Sequence, residues 1–369
     1  MTAKLEALLA DLSAGKTAAL ARAVSIVEDQ RDGADQLLAA IHATLGRAWR
    51  IGLTGPPGAG KSTIATKLAA SMRNAGLGVG IVAVDPTSPF TGGALLGDRV
   101  RMESVALDPG VFIRSMATRG SLGGLASTTR EVCDVLDAFG MERVLVETVG
   151  VGQSELDIAR TVDSSVVVLT PESGDAIQAM KAGLMEIADL FVVNKADRPG
   201  ADRVVNDLEL ALGMRGGRAM RNVPAHHGVE LKRVASSPKA APDAARRDDA
   251  AAWTPPVLRL VGTTGEGIPA LLAALDRHFA YLERSGALRT RRRARLRQRV
   301  VDVAEQRVRR RLWTDAATNA WLDERVAELE SGSTTPYAVA DALLAHSGPL
   351  LTGAARRAAN DGSGSGRTS

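Results

Sequence analysis

The stretch RIGLTGPPGAGKSTIATKLAASM, residues 50–72, runs from a short apolar segment through a glycine-rich loop into a helical pattern. Its central part, GPPGAGKST (55–63), matches the phosphate-binding pattern G-x-x-x-x-G-K-[ST]. Glycines let backbone N–H groups turn towards phosphate oxygens, and the positive end of the following helix faces the anion. Lys61 should reach the β- and γ-phosphates, and Ser62 should coordinate Mg²⁺. We expect the whole loop to bind the nucleotide: Gly55, Pro56, Pro57, Gly58, Ala59, Gly60, Lys61, Ser62 and Thr63.

From residue 49 onwards, short runs rich in β-branched residues alternate with helical segments. This alternation predicts an α/β fold with a doubly wound, mostly parallel sheet. The seven runs are RIGLT, VGIVAV, VFIRS, RVLVE, SVVVLT, LFVVN and PVLRLV. Residues 1–48 read as a helical N-terminal extension and 283–348 as a charged helical region. We expect a flexible insertion at 214–254 and a disordered tail at 349–369, because both lose periodicity and gain small or polar residues.

Composition sets limits on function. The net charge of +4 over 369 residues is too small to indicate nucleic-acid binding. A single cysteine, Cys133, excludes an internal disulfide framework and fits a reducing compartment. No apolar run approaches the roughly 18 residues that a membrane span needs, and the N-terminus has no signal-peptide pattern. A cytoplasmic protein without a membrane partner is therefore expected.

The segment VVNKAD (192–197) places the pattern N-K-x-D at the end of an apolar strand. Asp197 can accept hydrogen bonds from the N1 and N2 donors of guanine, which adenine lacks, and a site with paired polar groups strongly rejects the wrong base. Asn194 can brace the phosphate loop, and the stem of Lys195 can lie over the base. The loop GTTGEG (262–267) should complete the base site through Val261, Gly262 and Thr263. These features favour GTP or GDP over adenine nucleotides.

Three acidic residues are expected near the Mg²⁺ ion. They lie at the ends of two other predicted strands or in the segments that follow them. Glu147 closes the run RVLVE, and Gly150 lets the chain pass close to the γ-phosphate. Glu147 is one methylene longer than Asp and can reach the metal through a bound water, because Mg²⁺ usually keeps several waters. Asp85 could bind the metal or begin a turn before proline, and Asp98 could bind the metal or cap a helix. The spacing alone leaves both alternatives open.

Several longer segments resemble the MeaB/ArgK family of GTPases, which are chaperones of adenosylcobalamin-dependent acyl-CoA mutases. The resemblance is carried by GPPGAGKST, AVDPTSPFTGGALLGDRVRM, VLVETVGVGQSE, GDAIQAMKAGLMEIADLFVVNKAD and TGEG. It implies that Asp85 and Asp98 belong to a first switch that holds Mg²⁺, and that Glu147 to Gln153 form a second. It also implies a homodimer formed through a helical arm at 283–348 and adenosylcobalamin bound to the partner mutase.

The same resemblance implies a third switch in GDAIQAMK, where Asp175, Gln178 and Lys181 would transmit the nucleotide state to the mutase. This segment departs from the family pattern. Ala176 follows Gly-Asp where an acid is usual, and the preceding TPES (170–173) is atypical. Val261 and Gly262 also replace the usual Ser-Ala. These departures suggest a divergent branch that serves methylmalonyl-CoA mutase or an isobutyryl-, ethylmalonyl- or hydroxyisobutyryl-CoA mutase.

Hydrolysis should be slow without a partner. Val151 follows Gly150, so the water-orienting glutamine of small signalling GTPases is absent there. Arg99, Arg101, Arg114 and Arg119 are equal candidates for a stabilising arginine. Two other functions remain as alternatives: a GTP-binding scaffold without hydrolysis, and a transport-associated kinase for basic amino acids, against which N-K-x-D argues. The basic run RTRRRARLRQR (289–299) favours a solvated helix face over a nucleic-acid arm.

Overall fold

The computed structural model describes residues 2–85, 102–117, 124–148, 158–172, 184–215 and 253–348. Seven strands form one sheet in which every neighbouring pair is parallel, in the order β3-β2-β4-β1-β5-β6-β7. Each predicted run supplies one strand, so the doubly wound α/β fold is confirmed. The strands are β1 Trp49–Thr54, β2 Val79–Asp85, β3 Val111–Ala117, β4 Arg143–Glu147, β5 Ser164–Leu169, β6 Leu190–Asn194 and β7 Val257–Leu260.

The described residues also form twelve α-helices, and six of them, α4 to α9, come next after a strand in the chain. They are α1 Ala3–Ser13, α2 Thr17–Glu28, α3 Ala34–Ile41, α4 Lys61–Asn74, α5 Glu103–Ala106, α6 Gly124–Phe139, α7 Leu184–Ile187, α8 Ala201–Arg215, α9 Ile268–Arg284, α10 Ala287–Trp313, α11 Ala316–Glu330 and α12 Pro336–His346. Two compact units result, Met1–Arg292 and a second that begins at Arg293. Within the described residues, no helix is both long and apolar enough to cross a membrane.

Both faces of the sheet are covered, which explains the continuous apolar character of its strands. On one face α4 and α9 pack through residues such as Leu68 and Leu271. On the other face the N-terminal helices share a core with α6, through Leu20, Val24 and Leu136. Residues 3–41 are therefore packed into the same unit as the sheet. Cys133 lies in this core, where burial raises the pKa of its thiol to about 12 and leaves it unreactive at neutral pH.

The amino-terminal edge of the sheet is held by a buried polar network around Asp189. Its carboxylate accepts from the Ser165 backbone N–H at 2.9 Å and from the Arg291 guanidinium at 2.9 and 3.1 Å. His278 Nε2 lies 3.2 Å from the same carboxylate, and its Nδ1 lies 2.8 Å from Ser164 Oγ. Burial alone would raise the pKa of Asp189, but these contacts outweigh it and the pKa lies below its usual value.

Arg291 belongs to the basic run that was expected to face solvent, and its neighbour Arg292 is engaged in the same way. Arg292 Nη2 donates to Asp163 Oδ2 at 2.9 Å and to the Ala48 carbonyl at 3.0 Å. The expectation of a solvated helix face needs correction only at the tips of these two side chains: each guanidinium pairs with a carboxylate, and the Arg291 side chain is still 43% exposed. Charge patterning predicted a helix but could not identify the carboxylates that the first helical turns would meet.

Candidate functional site

The glycine-rich loop lies between β1 and α4. At two of its positions the neighbouring strands come so close that only glycine fits. Gly55 has φ of 136°, and a Cβ there would overlap the carbonyl oxygen of Val168 on β5. Gly60 has φ of 89°, and a Cβ there would overlap the side-chain amide of Asn194. The loop is therefore pressed against two neighbouring strands, in conformations that residues with side chains rarely adopt.

Lys61 is the first residue of α4 and is only 5% exposed. Its ammonium group donates to the carbonyl oxygens of Gly55 and Pro56, at 2.9 and 3.0 Å. The positive charge thus lies inside the turn of the loop, next to the N-terminus of α4. An ammonium group and a helix N-terminus in one place form a site suited to phosphate.

Ser62 and Glu147 meet beside the loop. The β1–β4 register pairs Leu53 with Glu147, which brings the end of β4 next to the start of the loop. Ser62 Oγ donates to Glu147 Oε1 at 2.6 Å, and Glu147 is only 8% exposed. A hydroxyl and a carboxylate oxygen are the hard ligands that Mg²⁺ prefers, and Mg²⁺ takes its other ligands from water and phosphate. The donor set therefore fits Mg²⁺.

The same edge is reinforced by a pair of threonines that sequence reasoning missed. Thr148 Oγ1 donates to Thr54 Oγ1 at 3.0 Å, and the Thr148 N–H donates to the Leu53 carbonyl at 3.1 Å. Both threonines are buried. These contacts continue the β1–β4 pairing one residue past the strand end and so fix the carboxylate of Glu147.

Asn194 ends β6 and joins the two loops that a nucleotide would touch. Its Nδ2 donates to the Ala59 carbonyl at 2.7 Å, and its Oδ1 accepts from the Gly262 N–H at 2.9 Å. The side chain is buried at 3% exposure. Asn194 therefore braces the phosphate loop, as expected, and also fixes the loop after β7.

The turn after β6 carries Lys195 and Asp197. Lys195 has φ of 56°, and the Arg198 N–H donates to its carbonyl at 3.0 Å, which closes the turn. Asp197 is exposed within it, and Ala196 is tied to β7 through the Leu260 carbonyl at 3.0 Å. An exposed carboxylate on a fixed turn is available to accept hydrogen bonds from a ligand.

In the loop after β7, the three predicted base contacts differ. Val261 is buried and forms a bridge with Glu266, which closes the loop on itself. The Gly262 N–H is already used by Asn194, and its conformation is thereby fixed. Thr263 is exposed. Of the three, Thr263 offers the most accessible groups for contact with a base.

The structure describes only some of the other residues that were predicted to act in the site. The backbone of Asp85 ends β2, and the neighbouring Ala83 pairs with Glu147 in the register of the sheet. Arg114 donates to Glu28 Oε2 at 2.6 Å, so this contact makes Arg114 a weaker candidate for the stabilising arginine. The remaining predicted residues lie outside the described part of the chain: Asp98, Arg99, Arg101, Arg119, Gly150, Gln153, Asp175, Gln178 and Lys181. The tail predicted at 349–369 and most of the insertion predicted at 214–254 also lie outside it.

The described residues that are predicted to bind phosphate, metal and base all lie at the carboxyl edge of one parallel sheet, where ligands bind in open α/β folds. Lys61, Glu147 and Asn194 lie at or just beyond the ends of β1, β4 and β6. Within the described residues, no cluster of three or more acidic, His or Cys side chains could hold a metal by itself.

Comparison with known proteins agrees with this arrangement. A family described as methylmalonyl Co-A mutase-associated GTPase MeaB matches residues 20–317. A Pyrococcus horikoshii protein named as a GTPase is 42% identical over 92% of this chain and 97% of its own. The mouse mitochondrial methylmalonic aciduria type A homolog is 31% identical over 92% of this chain and 79% of its own. The crystal structure of a protein named LAO/AO transport system kinase superposes with a TM-score of 0.61 at 26% identity, covering 93% of this chain and 97% of that one.

Proposed function

This chain belongs to the MeaB family of GTPases, and we propose that it uses GTP to control cofactor handling by an adenosylcobalamin-dependent acyl-CoA mutase. The observation that carries GTP hydrolysis is the family match over residues 20–317 together with the convergence of Lys61, Ser62, Glu147 and Asn194 at one edge of the sheet. The mutase rests on the description of the family and the name of the mouse relative.

In the proposed mechanism, Lys61 and the loop glycines bind the phosphates and offset the charge that develops on the transferring group. Ser62 and Glu147 would hold Mg²⁺, with Asp85 and Asp98 as further ligands, and the ion would offset negative charge on the phosphates. The N–H of Gly150 contacts the γ-phosphate. Asp197 reads the guanine base through its N1 and N2 donors, and this pairing excludes adenine.

The partner is proposed to be the mutase, which carries adenosylcobalamin and contacts the third switch through Asp175, Gln178 and Lys181. The expected test is single-turnover GTP hydrolysis with and without a candidate mutase. Groups supplied by a partner raise hydrolysis by about 10³–10⁵ in other GTPases. Stimulation by one acyl-CoA mutase, and its loss in Lys181→Ala with unchanged basal turnover, would support the proposal.

Two outcomes would overturn it. If no mutase stimulates hydrolysis while GTP binding and basal hydrolysis are normal, the mutase partner would be rejected and the GTPase activity retained. Transfer of phosphate from GTP to a basic amino acid would instead favour the alternative of a transport-associated kinase, the class of protein that the name of the similar structure states.

We also propose a homodimer formed through the helical arm at 283–348, most of which belongs to the second unit. Large apolar side chains remain exposed there, including Leu296 at 50%, Val300 at 70% and Trp313 at 47%. Exposed apolar positions on one small helical unit are typical of an interface. Light scattering should give a smaller assembly for Val300→Glu than for the parent chain, and an unchanged mass would remove this interface.

A further inference from the structure

Three charged side chains meet beside the turn that carries N-K-x-D, and only Lys195 belongs to that motif. Glu172 accepts a hydrogen bond on Oε1 from the Arg198 guanidinium, and its Oε2 lies 3.8 Å from Lys195 Nζ. Both partners of Glu172 lie in or next to N-K-x-D, the segment that reads the base. Glu172 itself comes from the departure TPES, three residues after β5 ends.

The sheet brings these residues together. β5 and β6 are parallel neighbours whose register pairs Leu169 with Val193, so the segments that follow them lie side by side. The two segments also lie close together further along, since a Cβ built on Gly200 would come within 3.7 Å of the Pro171 side chain. The pairing of the two strands thus places Glu172 next to Lys195.

The backbone fixes where the side chain of Lys195 starts. Its φ of 56° lies in the left-handed region, which only one other non-glycine residue among those described adopts. Such a conformation is unfavourable for a residue with a Cβ and persists where the surroundings impose it. The backbone therefore sets the direction in which the Lys195 side chain leaves the chain, and the carboxylate of Glu172 constrains its ammonium group.

We propose that Glu172 is a positioning residue for purine recognition: together with Arg198 it holds the ammonium group of Lys195 so that the aliphatic stem forms one wall of the base site. This rests on the proposed base-reading role of Lys195 and Asp197. A lysine side chain has large rotational freedom, and holding its tip before the nucleotide arrives reduces the entropy lost on binding.

Glu172 is suited to this role at any working pH. The hydrogen bond from Arg198, then the one from Thr170 and the charge of Lys195, lower the pKa of its carboxyl group to about 2. The carboxylate stays ionised, so its effect should not change with pH in the neutral range. Glu172 and Arg198 are each about half exposed, so added salt should weaken the interaction.

The test is dissociation of N-methylanthraniloyl-GDP from the full chain, measured by stopped flow for the parent chain and Glu172→Gln. Exposed ion pairs predict a rate about two- to fivefold faster for the variant at low salt, with the two rates converging at about 0.5 M salt. Glu209→Gln is the matched control, because it removes the same charge from an exposed position on α8. It should leave the rate unchanged.

A second measurement separates positioning of the base wall from general damage. Mg²⁺-tripolyphosphate has no base, so its affinity by calorimetry should be equal in Glu172→Gln and the parent chain. Arg198→Ala should reproduce the faster GDP dissociation, and Glu172→Asp should restore part of the parent rate. Equal GDP dissociation in Glu172→Gln and the parent at low salt, or a matching loss of tripolyphosphate affinity, would overturn the proposal. No mutase is present, so this outcome is independent of the proposed partner.

Discussion

Replacing Asn194 with alanine should disable the nucleotide site while sparing the sheet. The side chain makes two hydrogen bonds, to the Ala59 carbonyl at 2.7 Å and from the Gly262 N–H at 2.9 Å. Neither bond lies within the sheet: one orders the phosphate loop and the other orders the loop after β7. Truncation to alanine leaves the Ala59 carbonyl and the Gly262 N–H buried and without this hydrogen-bond partner.

The size of the effect follows from these two groups. A protected donor or acceptor left unsatisfied costs about 1–3 kcal/mol, so two such groups cost about 2–4 kcal/mol if water relieves part of the loss. Because both loops are proposed to contact the nucleotide, we expect most of this cost to appear in binding. The Kd for GDP should rise about 30- to 1000-fold.

Isothermal titration with GDP measures this directly, and urea unfolding of the nucleotide-free chain shows whether the sheet is affected. Asn206→Ala is the matched control, since Asn206 is exposed on α8. It should bind GDP like the parent chain. A Kd within about threefold of the parent for Asn194→Ala would refute the bridging argument, as would an equal loss in the control.

Three further results are expected from other parts of the chain. Asp197→Asn should weaken GDP binding by at least about tenfold, or 1.4 kcal/mol, and improve xanthosine diphosphate binding in titration; equal GDP affinity would contradict base reading. Ser62→Ala removes the 2.6 Å bond to Glu147, so adding Mg²⁺ should strengthen GDP binding in the parent chain and much less in the variant; an unchanged Mg²⁺ dependence would place the metal elsewhere. The pKa of Asp189 is lower folded than unfolded, so its contribution to stability is present above its unfolded pKa of about 3.9 and is lost as pH falls through the folded value. Urea midpoints of Asp189→Asn should therefore fall less steeply below about pH 4 than those of the parent, and parallel curves would remove Asp189 as the cause.

The sequence predicted those features that depend on local pattern. β-branched runs marked all seven strands, because a parallel sheet covered on both faces needs continuous apolar strands. Glycines marked the phosphate loop, because Gly55 and Gly60 occupy conformations and spaces that exclude a side chain. A single sequence could also place Asn194 at a strand end, which made its bracing of the loop predictable.

Features that depend on contacts between distant segments were not predictable. The spacing of Leu20 and Val24 indicates a buried helix face, but nothing in the spacing identifies α6 as the helix that covers it. Arg291 stands in a run of arginines whose members look alike in sequence, and only the fold shows that it meets Asp189. Glu172 belongs to no motif. Its proposed role depends on the turn after β6, which the fold places beside it.

Because of its contacts, the end of β5 supports both halves of the nucleotide site. The carbonyl of Val168 is the surface against which Gly55 of the phosphate loop is pressed. Three residues beyond the strand, Glu172 holds Lys195 of the base-reading turn. A shift of this strand end would therefore disturb the phosphate side through Gly55 and the base side through Lys195 together. The segment proposed as the third switch follows Glu172 directly in the chain, so a partner that binds this segment has a short covalent route to both halves.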